Sequence, residues 1–137
     1  MIGLDTNILI RYLTEDDTRQ FRAVMHLLVK DGATFFLPDL VLVEADWVLT
    51  SLYDWTPAEV AAAYTLLLQI ENLVFEDESR LRRALRAVNA GADLSDELIL
   101  AQCRTAGCSA FSTFDKAVMK NHPDFARLPE HIPPTSK

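Results

Sequence analysis

What this chain has little of is basic charge. Its 137 residues carry 13 Lys and Arg against 20 Asp and Glu, a formal net charge of −7. That balance excludes a protein that holds nucleic acid through a diffuse cationic surface. Cysteine is scarce as well, with Cys103 and Cys108 the two present. They are too few for a disulfide framework, their spacing suits neither a redox pair nor a zinc knuckle, and they are expected to be reduced core thiols. The four glycines are isolated from one another, which excludes the phosphate cradle of P-loop and dinucleotide folds. The longest apolar stretch, Val60 to Leu68, falls well short of the roughly 18 residues of a membrane span. Asp5 interrupts the apolar start before a signal-peptide core could form, so a cytoplasmic protein with no membrane partner is expected. His26, His122 and His131 have no metal-ligand spacing and read as ordinary surface or half-buried residues.

Half of the residues are hydrophobic, enough for one globular core. Met1 to Leu4 reads as a short buried strand ending at Asp5-Thr6-Asn7, with a helix following through Leu13. Glu15 to Thr18 opens a second helix whose Phe21, Val24, Met25 and Leu28 recur at helical spacing, and Gly32 closes the segment. Thr34 to Leu37 reads as a strand, and Pro38-Asp39 opens a helix with Asp39 as its expected cap. Thr56-Pro57-Ala58-Glu59 is a capping box that predicts a helix to about Ile70. A strand at Leu73 to Phe75, helices over Glu78 to Ala90 and Leu94 to Ala106, and a strand within Ser109 to Phe114 follow. Pro123, Pro129, Pro133 and Pro134 make the C-terminal end from about residue 121 irregular. Short strands alternating with helices predict a single α/β domain over residues 1–137, three α/β/α layers around a short central parallel sheet.

In such sheets the site lies beyond the carboxyl ends of the strands, where Asp5 ends the first strand and Asp115 follows the last clear one. Two further acids break the apolar pattern. The neighbours of Glu44 three and four positions away are Leu40, Val41, Trp47 and Val48, so Glu44 is expected on a buried face and Asp46 on the polar one. Asp96 heads the apolar stripe of Ile99, Leu100 and Cys103. Asp93 is placed to cap that helix, and Glu97 to turn toward Arg104 on the solvent side. Each acid also has an ordinary explanation: Asp5 and Asp115 suit helix caps, Asp96 a helix dipole, Glu44 a salt bridge. Together, Asp5, Glu44, Asp96 and Asp115 are expected to converge at one edge of the sheet, where clustered carboxylates need protons or a divalent cation. Oxygen-only ligands suit Mg²⁺ or Mn²⁺, and carboxylate-held magnesium acts chiefly on phosphates, so phosphodiester or phosphoryl chemistry is the first reading.

The motifs Leu4-Asp5-Thr6-Asn7, Leu42-Val43-Glu44, Gly91-Ala92-Asp93-Leu94-Ser95-Asp96-Glu97-Leu98-Ile99 and Ser112-Thr113-Phe114-Asp115-Lys116, with the run Asn7 to Leu13, resemble the PIN domain. More closely they resemble the VapC ribonuclease toxins of bacterial toxin–antitoxin pairs. The resemblance runs from Met1 to about Lys120. It implies a Mg²⁺- or Mn²⁺-dependent endoribonuclease, the toxin of a type II pair, with Asp5, Glu44, Asp96 and Asp115 as its acidic quartet. Asp5 and Asp96 match the principal metal ligands. Glu44 and Asp115 would complete the pocket and help position the attacking hydroxide, with Thr6, Asn7 and Thr113 orienting the carboxylates. Glu97 departs from the pattern, since many relatives carry a small residue after the third acid. The implied partners are an RNA substrate, a cognate antitoxin and a second copy of the chain in a homodimer.

RNA binding by an acidic protein needs local cations. Arg80, Arg82, Arg83 and Arg86 cluster on one helix, and Arg11, Arg104, Lys116 and Lys120 are close in sequence to the acid motifs. An arginine-rich helix face is, however, commonly just solvated. No aromatic stacking motif is evident. Tyr12, Leu13 and Phe21 offer an apolar surface for an antitoxin segment or a second copy, or else belong to the core. A haloacid-dehalogenase-like phosphatase starts with the same strand and Asp but carries a second Asp where this chain has Asn7. A housekeeping RNA-processing nuclease and a non-catalytic partner-binding scaffold of the same fold stand as alternatives.

Overall fold

In the computed structural model, which describes residues 1–134, the chain runs β1 (Ile2–Gly3), α1 (Thr6–Thr14), α2 (Thr18–Leu28), β2 (Phe35–Leu37), α3 (Asp39–Leu52), α4 (Pro57–Leu67) and β3 (Leu73–Phe75). It continues through α5 (Glu78–Asn89), α6 (Leu94–Thr105), β4 (Phe111–Ser112), α7 (Lys116–Asn121), β5 (Ala126–Arg127) and a 3₁₀ turn at Pro129–His131. Most helices begin where a side chain accepts an amide left free by the first turn. Asp5, Asp17, Asp77, Asp93 and Asp115 cap α1, α2, α5, α6 and α7. Thr56 and Glu59 close the predicted capping box of α4. Helix α3 differs from expectation: Pro38 is its N-cap without a side-chain bond, and Asp39 is buried against Arg80 instead.

The strands form a three-stranded parallel sheet in the order β1-β2-β3 and a separate parallel pair β4-β5. Phe35 and Leu37 on β2 are fully buried and Phe36 between them is half-buried. Such continuous burial of a central strand is what helices on both faces of a parallel sheet produce, and the domain is the expected three-layer α/β/α fold. β1 departs from the buried strand anticipated at Met1 to Leu4. Met1, Ile2 and Gly3 are exposed and Leu4 alone is buried, because among the described residues β1 pairs with β2 on one side only.

The main core joins Leu4, Leu9 and Ile10 to Leu42, Leu49, Tyr64, Leu81 and Leu98. Tyr12 and Leu13 pack against it, and Phe21 is half-buried, so the core alternative holds for the first two. A smaller cluster of Leu100, Val118, Phe125 and Ala126 seats α7 and β5 on α6, with Cys103 against it. Cys108 is exposed rather than a core thiol, and both cysteines are free. The proline-rich end beyond Asn121 is only briefly ordered among the described residues, holding the two-residue β5 and the 3₁₀ turn.

Candidate functional site

Three of the four predicted acids sit at helix N-termini. Asp5 Oδ1 accepts from the Thr6 amide at 2.8 Å. Asp115 Oδ1 accepts from the amides of Ala117 and Val118 at 2.9 and 3.2 Å, while the Asp115 amide donates to Thr113 Oγ1 at 3.0 Å. In both carboxylates the second oxygen accepts no hydrogen bond among the described residues. The partial positive charge at each helix start stabilises such a carboxylate by about 0.3–1 kcal/mol.

Asp96 lies half-buried in the first turn of α6, its amide donating to Asp93 Oδ2 at 3.0 Å. Burial raises its carboxyl above the ordinary range, and the charges of Asp93, Asp115 and Glu97 raise it further. Asp96, Asp115 and Asp93 therefore share one region of negative potential. Helix α3, which carries Glu44, packs against both α1 and α6, the helices that begin at Asp5 and Asp93. Glu44 and Asp5 themselves are exposed. Among the described residues no group of three or more Asp, Glu, His or Cys side chains stands close enough to hold a metal ion. Like charges keep apart, and Asp5 and Asp115 each take the nearest amide instead.

Glu44 and Asp46 exchange the places expected of them. Asp46 is buried and accepts from Ser95 Oγ at 3.2 Å, whereas Glu44 faces outward. Helix α3 is apolar on several faces, so its phase is ambiguous. Its buried positions are Asp39, Leu42, Ala45, Asp46 and Leu49, leaving Leu40 and Trp47 exposed on either side of Glu44. Burial lifts the Asp46 carboxyl above its usual range, the Ser95 hydroxyl lowers it and Asp93 raises it again. Phe114, immediately before Asp115, is exposed too. With Trp47 it places two open aromatic faces next to predicted acids, which only exposure could have revealed.

Glu97 does not turn to Arg104. Its Oε2 lies 2.6 Å from Nε2 of His122, the C-cap residue of α7, whose Val118 packs in one cluster with Leu100 of α6. Arg104 instead stacks on Phe125, 4.0 Å from the ring centroid, and lies 3.5 Å from Asp124 at the surface. The arginine cluster of α5 also divides. Arg80 is buried and paired with Asp39, Glu76 and Asp77, so it cannot reach RNA. Arg82 pairs with Glu78. Arg83 faces α6, and Arg86 faces Thr65 and Leu68 of the α4 end.

Carboxylate oxygens such as the unbonded ones of Asp5 and Asp115 are of the chemistry that a hard divalent cation such as Mg²⁺ or Mn²⁺ takes, though among the described residues no three acids are close enough to hold one as they stand. Among the described residues no helix is long and apolar enough to cross a membrane. No curated protein matches the sequence. The PIN domain matches residues 2–124, a span that contains all four acid motifs, and PIN domains are generally metal-dependent nucleases. The parallel sheet, the acids at its strand ends and helix starts, and that match agree along the same stretch of chain: it belongs to the PIN domain family.

Proposed function

We propose that this PIN domain is a Mg²⁺- or Mn²⁺-dependent endoribonuclease, acting in the cytoplasm as the toxin of a type II toxin–antitoxin pair. The observation that carries the reading is the PIN match over residues 2–124, with the Asp96 carboxyl at the start of α6 raised above its ordinary range by burial and by the charges of Asp93, Asp115 and Glu97. Asp5 and Asp96 would hold the cation, with Glu44 and Asp115 completing the pocket. When bound, a divalent ion supplies charge neutralisation at a phosphoryl oxygen and a more acidic water. The chain's own residues do the rest. Asp115 is anchored by two amides through Oδ1, which leaves Oδ2 without a hydrogen bond among the described residues and available to a cation. Glu44, exposed on the helix that α1 and α6 both pack against, is the carboxylate free to take a proton from the attacking water. Thr113 Oγ1 accepts from the backbone amide of Asp115, and the amide of Thr6 donates to Asp5 Oδ1 at the start of α1.

A toxin needs a surface for its antitoxin and its second copy. Leu40, Trp47, Leu52 and Leu66 on α3 and α4 are exposed large apolar residues, the kind of surface an amphipathic segment covers. The reading is tested by incubating the purified protein, freed of any partner, with structured RNAs and Mg²⁺ or Mn²⁺. Cleavage is expected, with loss in EDTA and a drop in Asp5→Asn and Asp96→Asn greater than the roughly 10–100-fold typical of residues behind the ligands. Cleavage that survives EDTA and both substitutions would sink it.

A further inference from the structure

Arg83 on α5 and Arg104 on α6 both line a pocket of about 190 Å³, together with Ala84, Leu100, Glu97 and His122. The charges in this pocket are unequally committed. Arg80 is neutralised by Asp39, and the Glu97 carboxylate is engaged by Nε2 of His122 at 2.6 Å. Arg104 is held in place by stacking on Phe125, with a single exposed partner, Asp124, at 3.5 Å. Arg83 is exposed and has no ion pair or side-chain hydrogen bond among the described residues. What remains open is two guanidinium groups in a concavity far smaller than the ~300–1,000 Å³ of a drug-sized ligand site.

We propose that this α5–α6 pocket is a subsite for one backbone phosphate of single-stranded RNA. Guanidinium forks match phosphate oxygens in geometry and charge. Arg104, already ordered by its aromatic platform, loses less conformational freedom on binding than a free arginine. On α6 the pocket is lined by Glu97, Leu100, Ala101 and Arg104, a helix face next to the one that carries Asp96. A chain of net charge −7 thus holds its substrate at a point rather than by a field. The inference rests on the ribonuclease reading for its choice of polymer, not for its geometry.

The experiment is fluorescence anisotropy with a short labelled single-stranded RNA in EDTA, so that binding is read without cleavage, across a salt series. Arg83→Gln, Arg104→Gln and the double variant are compared with Arg86→Gln, which removes the same charge from another face of α5. The double variant is expected to bind roughly tenfold more weakly, and its log K against log salt slope to fall by about 0.7, the value for one phosphate contact on a single strand. Arg86→Gln is expected to stay within about twofold, as a site outside the pocket. Arg83→Gln alone keeps the test valid if loss of Arg104 disturbs Phe125, since Arg83 supports nothing else. Equal weakening by Arg86→Gln, or no change in any variant, overturns the pocket. If the wild-type protein binds RNA and the pocket variants bind it equally well, only the pocket falls. Absence of RNA binding by the wild type removes the ribonuclease reading with it.

Discussion

Replacing Arg80 by Ala should cost this domain a large part of its stability. Nε and Nη2 of Arg80 both donate to Asp39 Oδ2, at 2.9 and 2.6 Å, and the two side chains are only 7% and 3% exposed. Asp39 Oδ1 is buried with no hydrogen-bond partner among the described residues. Gln102 reaches Oδ2 only at 3.5 Å. Burial alone would lower the Arg80 pKa, but Asp39, Asp77 and Glu76 together raise it, so the cation is present at every accessible pH. Removing it leaves a carboxylate buried and uncompensated, a loss of about 3–5 kcal/mol. Domains of this kind have about 5–15 kcal/mol in all, and a fall on the order of 10–20 °C in Tm follows. Urea denaturation followed by circular dichroism reads the change directly. Asp39→Leu combined with Arg80→Met should recover most of it, because two apolar side chains of similar volume leave no charge stranded. Single variants costing under about 1 kcal/mol, as exposed ion pairs do, would refute the reasoning.

Two further predictions concern α3. Because burial raises the Asp46 carboxyl above its ordinary range, the folded state binds that proton more tightly than the unfolded chain. The stability it contributes is present at low pH and lost as pH rises through the folded value. Asp46→Asn, which can still accept from Ser95, should therefore be more stable than wild type at neutral pH, with the advantage shrinking toward about pH 4; melts across that range check it, and a less stable variant at pH 7 contradicts it. Tyr64 is fully buried and donates from Oη to the Leu42 carbonyl at 2.7 Å, and Tyr64→Phe should cost about 1 kcal/mol, since that carbonyl keeps its helical partner. A cost above about 3 kcal/mol in denaturant titration would mean the hydroxyl supports more than this one bond.

Local signals were legible in the sequence where local chemistry decides the outcome. The capping box at Thr56, the cap at Asp93 and the strand at Leu73–Phe75 all depend on residues within a few positions of one another. Pairings across the fold were not. Asp39 finds Arg80 at a separation of 41 residues, Asp46 finds Ser95 at 49, and Glu97 finds His122 at 25. Helical phase assigns a side chain to a face only when one face is clearly polar, and α3, with Leu40 and Trp47 exposed and Asp39 and Asp46 buried, offers no such contrast. The positions of Asp5, Asp96 and Asp115 at helix starts are legible because strand ends and helix starts are visible in sequence. Glu44 was singled out as a buried anomaly, although it faces outward. The division of the arginines of α5 into buried and open ones depends on which helices flank it, which no spacing within α5 reveals.

In the proposed function Asp5 and Asp96 share one divalent cation, and Mn²⁺-dependent stabilisation tests that proposal most directly. Thermal or chemical unfolding of the wild-type protein, titrated with Mn²⁺, should show a stabilisation that grows with the logarithm of free ion above its Kd and reaches about 2.7 kcal/mol at a hundred times that value. Asp5→Asn and Asp96→Asn should each lose most of that increment. A stabilisation of equal size in wild type and both variants, or none at Mn²⁺ concentrations that support RNA cleavage, would contradict the claim.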